Sequence, residues 1–415
     1  MSDKKKPTLE KSDVSKHHFQ PVFEIQDNSY QRSFVIGTHI DTNKIISLDF
    51  ARLLESSVGV FGNPGTGKTF LTRLLLSGLI SQQAAVNLIF DLHSEYGWEV
   101  VSRGQPSIVK GLWHLFPKSV EIYTLDSEST RRQGIHAHEL YLSYDQIDVE
   151  DIKLVSQDLG LSEDSIDNAN ILHSEFGKRW IVQLLNMTNE EIQIFCNEKR
   201  GQKDLIMALQ HKLQRLDGLK NMRASLPQNY IHQLLQSLAD GKNVVVMFGS
   251  EFDMLSYKLI TNMIARRIYL HYVRKTEKFL QTKNPKDRPC QLVITIEDAH
   301  HLLNSNTVRH NIFNNIIRQS WKSCITLLAV ERYPSRIDKE VMSELGTRIT
   351  GLLNDEDIDA ISTGIPSYHC LRSMLSKLDS TQQAVIFGHV VTAPVAVRTR
   401  PYDEQFYDEI RDVAR

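Results

Sequence analysis

Residues 62–69 read GNPGTGKT, between VGVF (58–61) and FLTRLLLSGLI (70–80). Three glycines in eight residues let a backbone wrap closely around an anion and turn its N–H groups inward. The terminal Lys-Thr completes the pattern G-x-x-x-x-G-K-[ST], running from Gly62 through Asn63, Pro64, Gly65, Thr66 and Gly67 to Lys68 and Thr69. In this pattern the lysine reaches the β- and γ-phosphates of a nucleoside triphosphate and the hydroxyl ligands Mg²⁺. The competing reading is a chance glycine-rich turn. The flanks argue against it: VGVF is a short buried-type strand, and Leu71, Leu74, Leu75 and Leu79 fall at helical spacing. AAVNLIFD (84–91) then supplies a second strand ending in an acid. Strand, loop, helix and strand make a βαβ unit and predict a parallel sheet.

A phosphate loop needs a second acid for its metal, carried on another parallel strand. Asp91, ending NLIFD, is one candidate. The better one is Glu297-Asp298, which ends the longer apolar strand LVITI (292–296) and offers two carboxylates. The first would enter the Mg²⁺ shell and the second would orient or deprotonate the attacking water; the alternative is a helix or turn cap. His300 and His301 follow, and Glu297 and His301 are four apart, but no further ligand stands at zinc spacing. His93, in DLHSEY, reads as a hydrogen-bonded loop histidine.

The remaining chain is organised around this unit. Residues 1–22 read as a mobile polar tail and 23–55 as a small β element. Residues 56–129 form the first part of the core, 130–240 a helical insertion, and 241–415 the second part with its late strands. The insertion rests on the apolar periodicity of DVEDIKLVSQDLGL, SEFGKRWIVQLLNM and DLIMALQHKLQRLDGL. The basic run from Lys199 to Arg223 reads as a solvated helix face. With 415 residues, 41% hydrophobic, the chain can bury a large core. Its net charge of −2 gives no global attraction to nucleic acid or membrane, so any DNA contact is local or created by assembly. No apolar run approaches the ~20 residues that span a bilayer. The four cysteines, at 196, 290, 324 and 370, are too scattered for a disulfide framework, which fits a reducing, cytoplasmic setting.

VGVFGNPGTGKT, LIFDLHSEYGWE, LVITIEDAHHLL and AVERYPSRIDKEVMSELGTRITGLL together resemble the HerA branch of the HerA/FtsK P-loop ATPases. The resemblance extends over about residues 30–400. It implies a RecA-like α/β core with a mainly parallel sheet, ATP and Mg²⁺ as cofactors, and a hexameric ring. It further implies ATP hydrolysis between subunits, translocation of DNA, and a nuclease or other effector as partner. Carried over residue by residue, Lys68 and Thr69 contact nucleotide and metal, Glu297 is the metal-shell acid, and Asp298 takes the catalytic glutamate's position. Arg348, in GTRITGLL, matches an arginine that would act on a neighbouring subunit's γ-phosphate; otherwise it is a surface or sheet-edge arginine. Three positions depart from the family pattern. Asp298 stands for Glu, an arm shorter by ~1.5 Å; Glu331 stands for the Gln of Q-R-P-S; Trp321 stands for an arginine. Two functions remain open on these residues: a DNA-translocating ATPase motor, or a nucleotide-gated scaffold with weak hydrolysis. A small-molecule phosphotransferase has no substrate-binding signature in its favour.

Overall fold

The structure, a computed structural model, describes residues 33–101, 108–199, 201–219, 221–249, 252–364, 368–378 and 382–413. The tail expected over 1–22 lies outside them, as does the first part of the small β element. Among the described residues one twelve-stranded sheet organises the chain. Its strands are β1 (Ser33–His39), β2 (Ile45–Asp49), β3 (Val58–Phe61), β4 (Val86–Asp91), β5 (Val120–Thr124) and β6 (His138–Glu139). They continue with β7 (Asn243–Met247), β8 (Leu292–Ile296), β9 (Ile325–Glu331), β10 (Thr347–Thr350), β11 (Gln383–Gly388) and β12 (Val395–Thr399). The order across the sheet is β2-β1-β12-β11-β10-β3-β9-β8-β4-β7-β5-β6. From β10 to β6 all neighbours run parallel, while β11, β12, β1 and β2 extend the sheet antiparallel. The expected mainly parallel α/β fold is therefore present. Residues 33–49 fold as the β1–β2 hairpin and extend one edge of the sheet through β12.

Period-two alternation sends the central strands' side chains into two apolar layers. Leu88, Phe90, Ile294, Ile296, Leu327 and Ala329 face one layer; Val58, Val60, Ile89, Val293, Leu328 and Val330 face the other. Helix α1 (Lys68–Ser81) covers the second layer with Leu71, Leu74, Leu75 and Leu79, all buried. Its Gly78 lies against the Phe34 and Phe50 rings, where an added Cβ would stand 2.8 Å from both. That close approach docks the β1–β2 hairpin on the helix.

The first layer is covered by the helical insertion: α2 (Val149–Leu154), α3 (Glu163–Phe176), α4 (Trp180–Asn186), α5 (Asn189–Lys199), α6 (Lys203–Leu213) and α7 (Tyr230–Ala239). Two further helices, α8 (Met254–Thr282) and α9 (Ile312–Ser323), lie against the same layer. Ile152, Trp180, Leu209, Ile264 and Phe313 are fully buried there. A buried cluster pins the insertion to α8: Arg266 pairs with Asp148 and Asp151, and Asn262 Nδ2 donates to Asp151 Oδ1 at 2.9 Å. In the basic run, Lys199 pairs with Glu175 at 2.8 Å and Arg215 donates to the Asp158 carbonyl. These contacts fit a helix surface. Among the described residues no helix is long and apolar enough to cross a membrane.

Candidate nucleotide site

All the parallel strands end on one side of the sheet, and the sequence-expected site residues follow those ends. Glu331 pairs with Phe61, Ala329 with Ile296, and Ile296 with Phe90. The tips of four consecutive strands, β3, β9, β8 and β4, thus carry in turn Gly62, Arg332, Glu297-Asp298 and Asp91-His93. Ligands of open α/β sheets sit in this crevice. β3 and β8 are two strand spacings apart, about 10 Å.

The loop after β3 is moored by Asn63 N to the Leu352 carbonyl at 2.9 Å and by Gly351 N to the Phe61 carbonyl at 2.9 Å. Thr66 closes the turn through N–H and hydroxyl bonds to the Asn63 carbonyl at 3.2 and 2.8 Å. Gly65 and Gly67 have φ of +83° and +86°, which L side chains rarely adopt, and a Cβ on Gly65 would meet nothing within 4 Å. Gly67 caps α1 with no side-chain bond, so no side chain occupies the helix's positive end. Lys68 forms no ion pair among the described residues. An open loop, an uncapped helix start and an unpaired lysine fit a triphosphate tail.

The acids divide their work in a way the sequence did not reveal. Asp91, fully buried, accepts from Glu95 N at 2.7 Å and from Tyr96 N and Gly97 N at 2.9 Å. It anchors the loop after β4, so the metal-ligand reading for this acid gives way to a structural one. That loop presents Glu95 to Thr69, whose hydroxyl donates to Glu95 Oε2 at 2.8 Å. The buried Arg73 of α1 holds the Glu95 carbonyl through Nε at 2.8 Å. The same loop reaches Glu297, where His93 N donates to Oε2 at 3.2 Å. One loop therefore ties the start of α1 to the Glu297 carboxylate. Burial, then the charge of Asp91, pushes Glu297 up to about 7. Glu95 went unremarked in the sequence, though it stands two residues after His93 in DLHSEY.

Asp298 leaves β8 with φ +42°, unusual for a residue with a side chain. Its carboxylate accepts from Arg332 Nε at 2.9 Å and Nη2 at 2.5 Å, and meets His93 Nε2 at 3.2 Å. Burial opposes ionisation here, but the hydrogen bonds from His93 and Arg332 outweigh it and hold the carboxyl well below the usual range. His93 is raised chiefly by the Asp298 bond.

Glu331 does not face the site as a charged sensor. It is fully buried; Oε2 accepts from His300 N at 2.7 Å and meets Nδ1 at 2.8 Å. Oε1 accepts from Arg332 N and Tyr333 N, both at 2.7 Å. His300 is thereby engaged, and no group of three metal-ligating side chains exists among the described residues. Arg348 is also inside, 3% exposed, its guanidinium donating to the carbonyls of Met342, Ile361 and Thr363. Burial lowers its pKa to about 10. Its strand β10 is paired on both sides, so Arg348 lies inside the sheet rather than at the surface or on an edge. The side chain of Trp321 lies outside the described residues.

Residues 34–268 match the family described as Helicase HerA, central domain, more than half of the chain. The chain belongs to this family. It is 23% identical over 361 residues to the DNA double-strand break repair helicase HerA of Sulfurisphaera tokodaii, covering 84% of this chain and 66% of that protein. The Pyrococcus furiosus protein of the same name is 21% identical over 389 residues, covering 87% and 68%. The chain thus spans about two thirds of the length of the curated relatives it matches. Among solved structures, VirB4 of Thermoanaerobacter pseudethanolicus superposes with a TM-score of 0.55 at 11% identity, covering 89% of this chain and 96% of that one. The plasmid coupling protein TrwB, in complex with the ATP analogue ADPNP, gives 0.53 at 11% identity, covering 84% and 86%. These structural likenesses show that the HerA-family chain has the P-loop NTPase fold.

Proposed function

We propose that this HerA-family chain binds ATP with Mg²⁺ at Gly62–Thr69 and hydrolyses it as the motor of a cytoplasmic, ring-forming DNA translocase. The observation that carries the reading is the bridge from Thr69 through Glu95 and His93 to Glu297, which sets phosphate loop and strand-tip acids around one crevice. Lys68 would pair with the β- and γ-phosphates. The Thr69 hydroxyl and Glu297 would hold Mg²⁺, which neutralises charge on those phosphates when bound. Asp298 is the residue to orient the attacking water. Support for nucleotide and metal use comes from TrwB, solved with ADPNP and with ADP and Mg²⁺. Support for DNA as substrate comes from the curated relatives, named as DNA double-strand break repair helicases. A hexameric ring, and a nuclease or other effector on it, complete the proposal. Arg348 is left out of the trans role, because carbonyls inside the fold hold its guanidinium.

One observation favours a second reading, a nucleotide-gated scaffold with little turnover: the Asp298 carboxylate is engaged by Arg332 and His93. ATP turnover with and without double-stranded DNA, beside Lys68→Ala, separates the two. DNA-stimulated turnover that disappears in the variant supports the motor. Nucleotide binding with negligible turnover supports the scaffold, and no binding sinks both. Solution mass with and without ATP tests the ring.

A further inference from the structure

Arg332 follows β9, the strand paired with β3 and so beside the phosphate loop. Because Glu331 pairs with Phe61, Arg332 and Gly62 are the residues that leave the ends of two neighbouring strands, whose spacing is about 4.8 Å. Its side chain is 32% exposed and turned away toward β8, where Nε and Nη2 grip both Asp298 oxygens. Its backbone is fixed independently, by the N–H bond to the buried Glu331 carboxylate. A firmly held main chain with a half-buried guanidinium allows the head to change partner without unfolding the strand tip. His93 Nε2 touches both members, at 3.2 Å from Asp298 Oδ2 and 3.3 Å from Arg332 Nη2. It can keep its hold on Asp298 when the arginine leaves.

We propose that Arg332 is an exchange switch: it closes on Asp298 when the terminal phosphate is absent and moves to that phosphate when ATP enters, freeing Asp298. The inference rests on the nucleotide-binding reading above. A guanidinium fork matches a phosphate as well as a carboxylate, and a terminal phosphate carries the greater charge. ADP lacks the group that would draw the arginine away, so the closed pair persists with it. Arg332 acts on water through Asp298 and is a positioning residue in that step. The closed pair competes with the triphosphate and lowers its apparent affinity, as a ligand-incompetent state does. Asp298 is unavailable until the triphosphate has been engaged, which ties any hydrolysis to a filled site.

The test compares affinities for ATPγS and ADP, both with Mg²⁺, by titration calorimetry on the full chain. Arg332→Gln is expected to weaken ATPγS about tenfold or more, the scale of one charge-assisted contact, and to leave ADP unchanged. Asp298→Asn removes the competing charge and is expected to tighten ATPγS several-fold, again without change in ADP. Arg332→Lys should fall between wild type and Arg332→Gln. Opposite movements of the ATPγS-to-ADP ratio cannot arise from partial unfolding. If both variants leave the ratio at the wild-type value, or Arg332→Gln weakens both nucleotides equally, the exchange is wrong while nucleotide binding stands. If wild type binds neither nucleotide, the exchange and the reading beneath it fall together.

Discussion

Replacing Glu331 by Gln separates two accounts of one residue. In the family pattern Gln stands there, so a sequence-based view expects the change to restore a sensor and raise turnover. The structure gives the carboxylate four donor contacts, two to His300 and one each to Arg332 N and Tyr333 N. Glutamine offers one oxygen. If it serves Arg332 and Tyr333, the amide NH₂ confronts His300 N–H; His300 Nδ1 can turn acceptor, but the N–H cannot. One buried unpaired donor costs about 1–3 kcal/mol, and exchanging charge-assisted bonds for neutral ones adds about 1 kcal/mol, so about 2–4 kcal/mol is expected. At about 2.1 cal/mol/K per residue the entropy of melting approaches 0.9 kcal/mol/K for a chain of this size, and the loss appears as a Tm lower by about 2–5 °C. Burial would raise the Glu331 pKa, but the His300 hydrogen bond and charge with the backbone donors outweigh it, leaving it below its ordinary value. A depressed carboxyl stabilises above its unfolded pKa, near 4.3, and the advantage disappears as pH falls through the lower folded value. Melting curves at pH 7.5 and along an acid series are the assay: the gap between wild type and Glu331→Gln should be full at neutrality and close in acid. A variant that melts as high as wild type at pH 7.5, with faster ATP turnover, would refute the reasoning.

Glu297→Gln should stabilise the protein in the absence of metal and nucleotide. A buried acid raised to about 7 contributes stability at low pH and loses it as pH rises from about 4.5 to about 7. The charge therefore costs about 3 kcal/mol at pH 8, and the variant should melt a few degrees higher there and equally at pH 5; an equal gain at both pH values would contradict this. Arg348→Ala should lower Tm by several degrees, since three carbonyls lose a charged donor and a cavity is left. Mixing it with Lys68→Ala subunits should restore no turnover, and rescue at native Tm would return Arg348 to the subunit interface. Asp91→Asn should cost about 1–3 kcal/mol, because one of three backbone donors is left facing an NH₂ group. Proteolytic sensitivity at 92–97 should rise with it, and an unchanged Tm would show that the carboxylate does not anchor the loop.

The strands β3, β4, β8, β9 and β10 were legible because each is a short apolar run with its punctuation: glycines after Phe61, acids after Ile296, a polar turn after Glu331. β5 is not legible in this way, since its five residues include the polar Glu121 and Thr124. The closing stretch QAVIFGHVVTAPVAVRTR read as β structure, but its division into the antiparallel β11 and β12 depends on pairing with β10 and β1. That Lys68 and Thr69 open the helix after the loop follows from spacing alone. Arg332 stands in AVERYPS, but nothing in a linear string says that it follows the strand beside the phosphate loop.

By itself the sequence determined the phosphate loop, the parallel α/β class and the set of acids at strand ends, since these depend on local spacing and on hydrophobic period. Tertiary structure alone decided what surrounds each acid. Asp91 and Glu331 are spent on backbone amides, Glu297 is buried beside the loop, and Asp298 is held by an arginine from another strand. The reason is physical: a carboxylate's role is set by the donors that surround it, and here many of those donors come from segments 31 to 205 positions away in the chain.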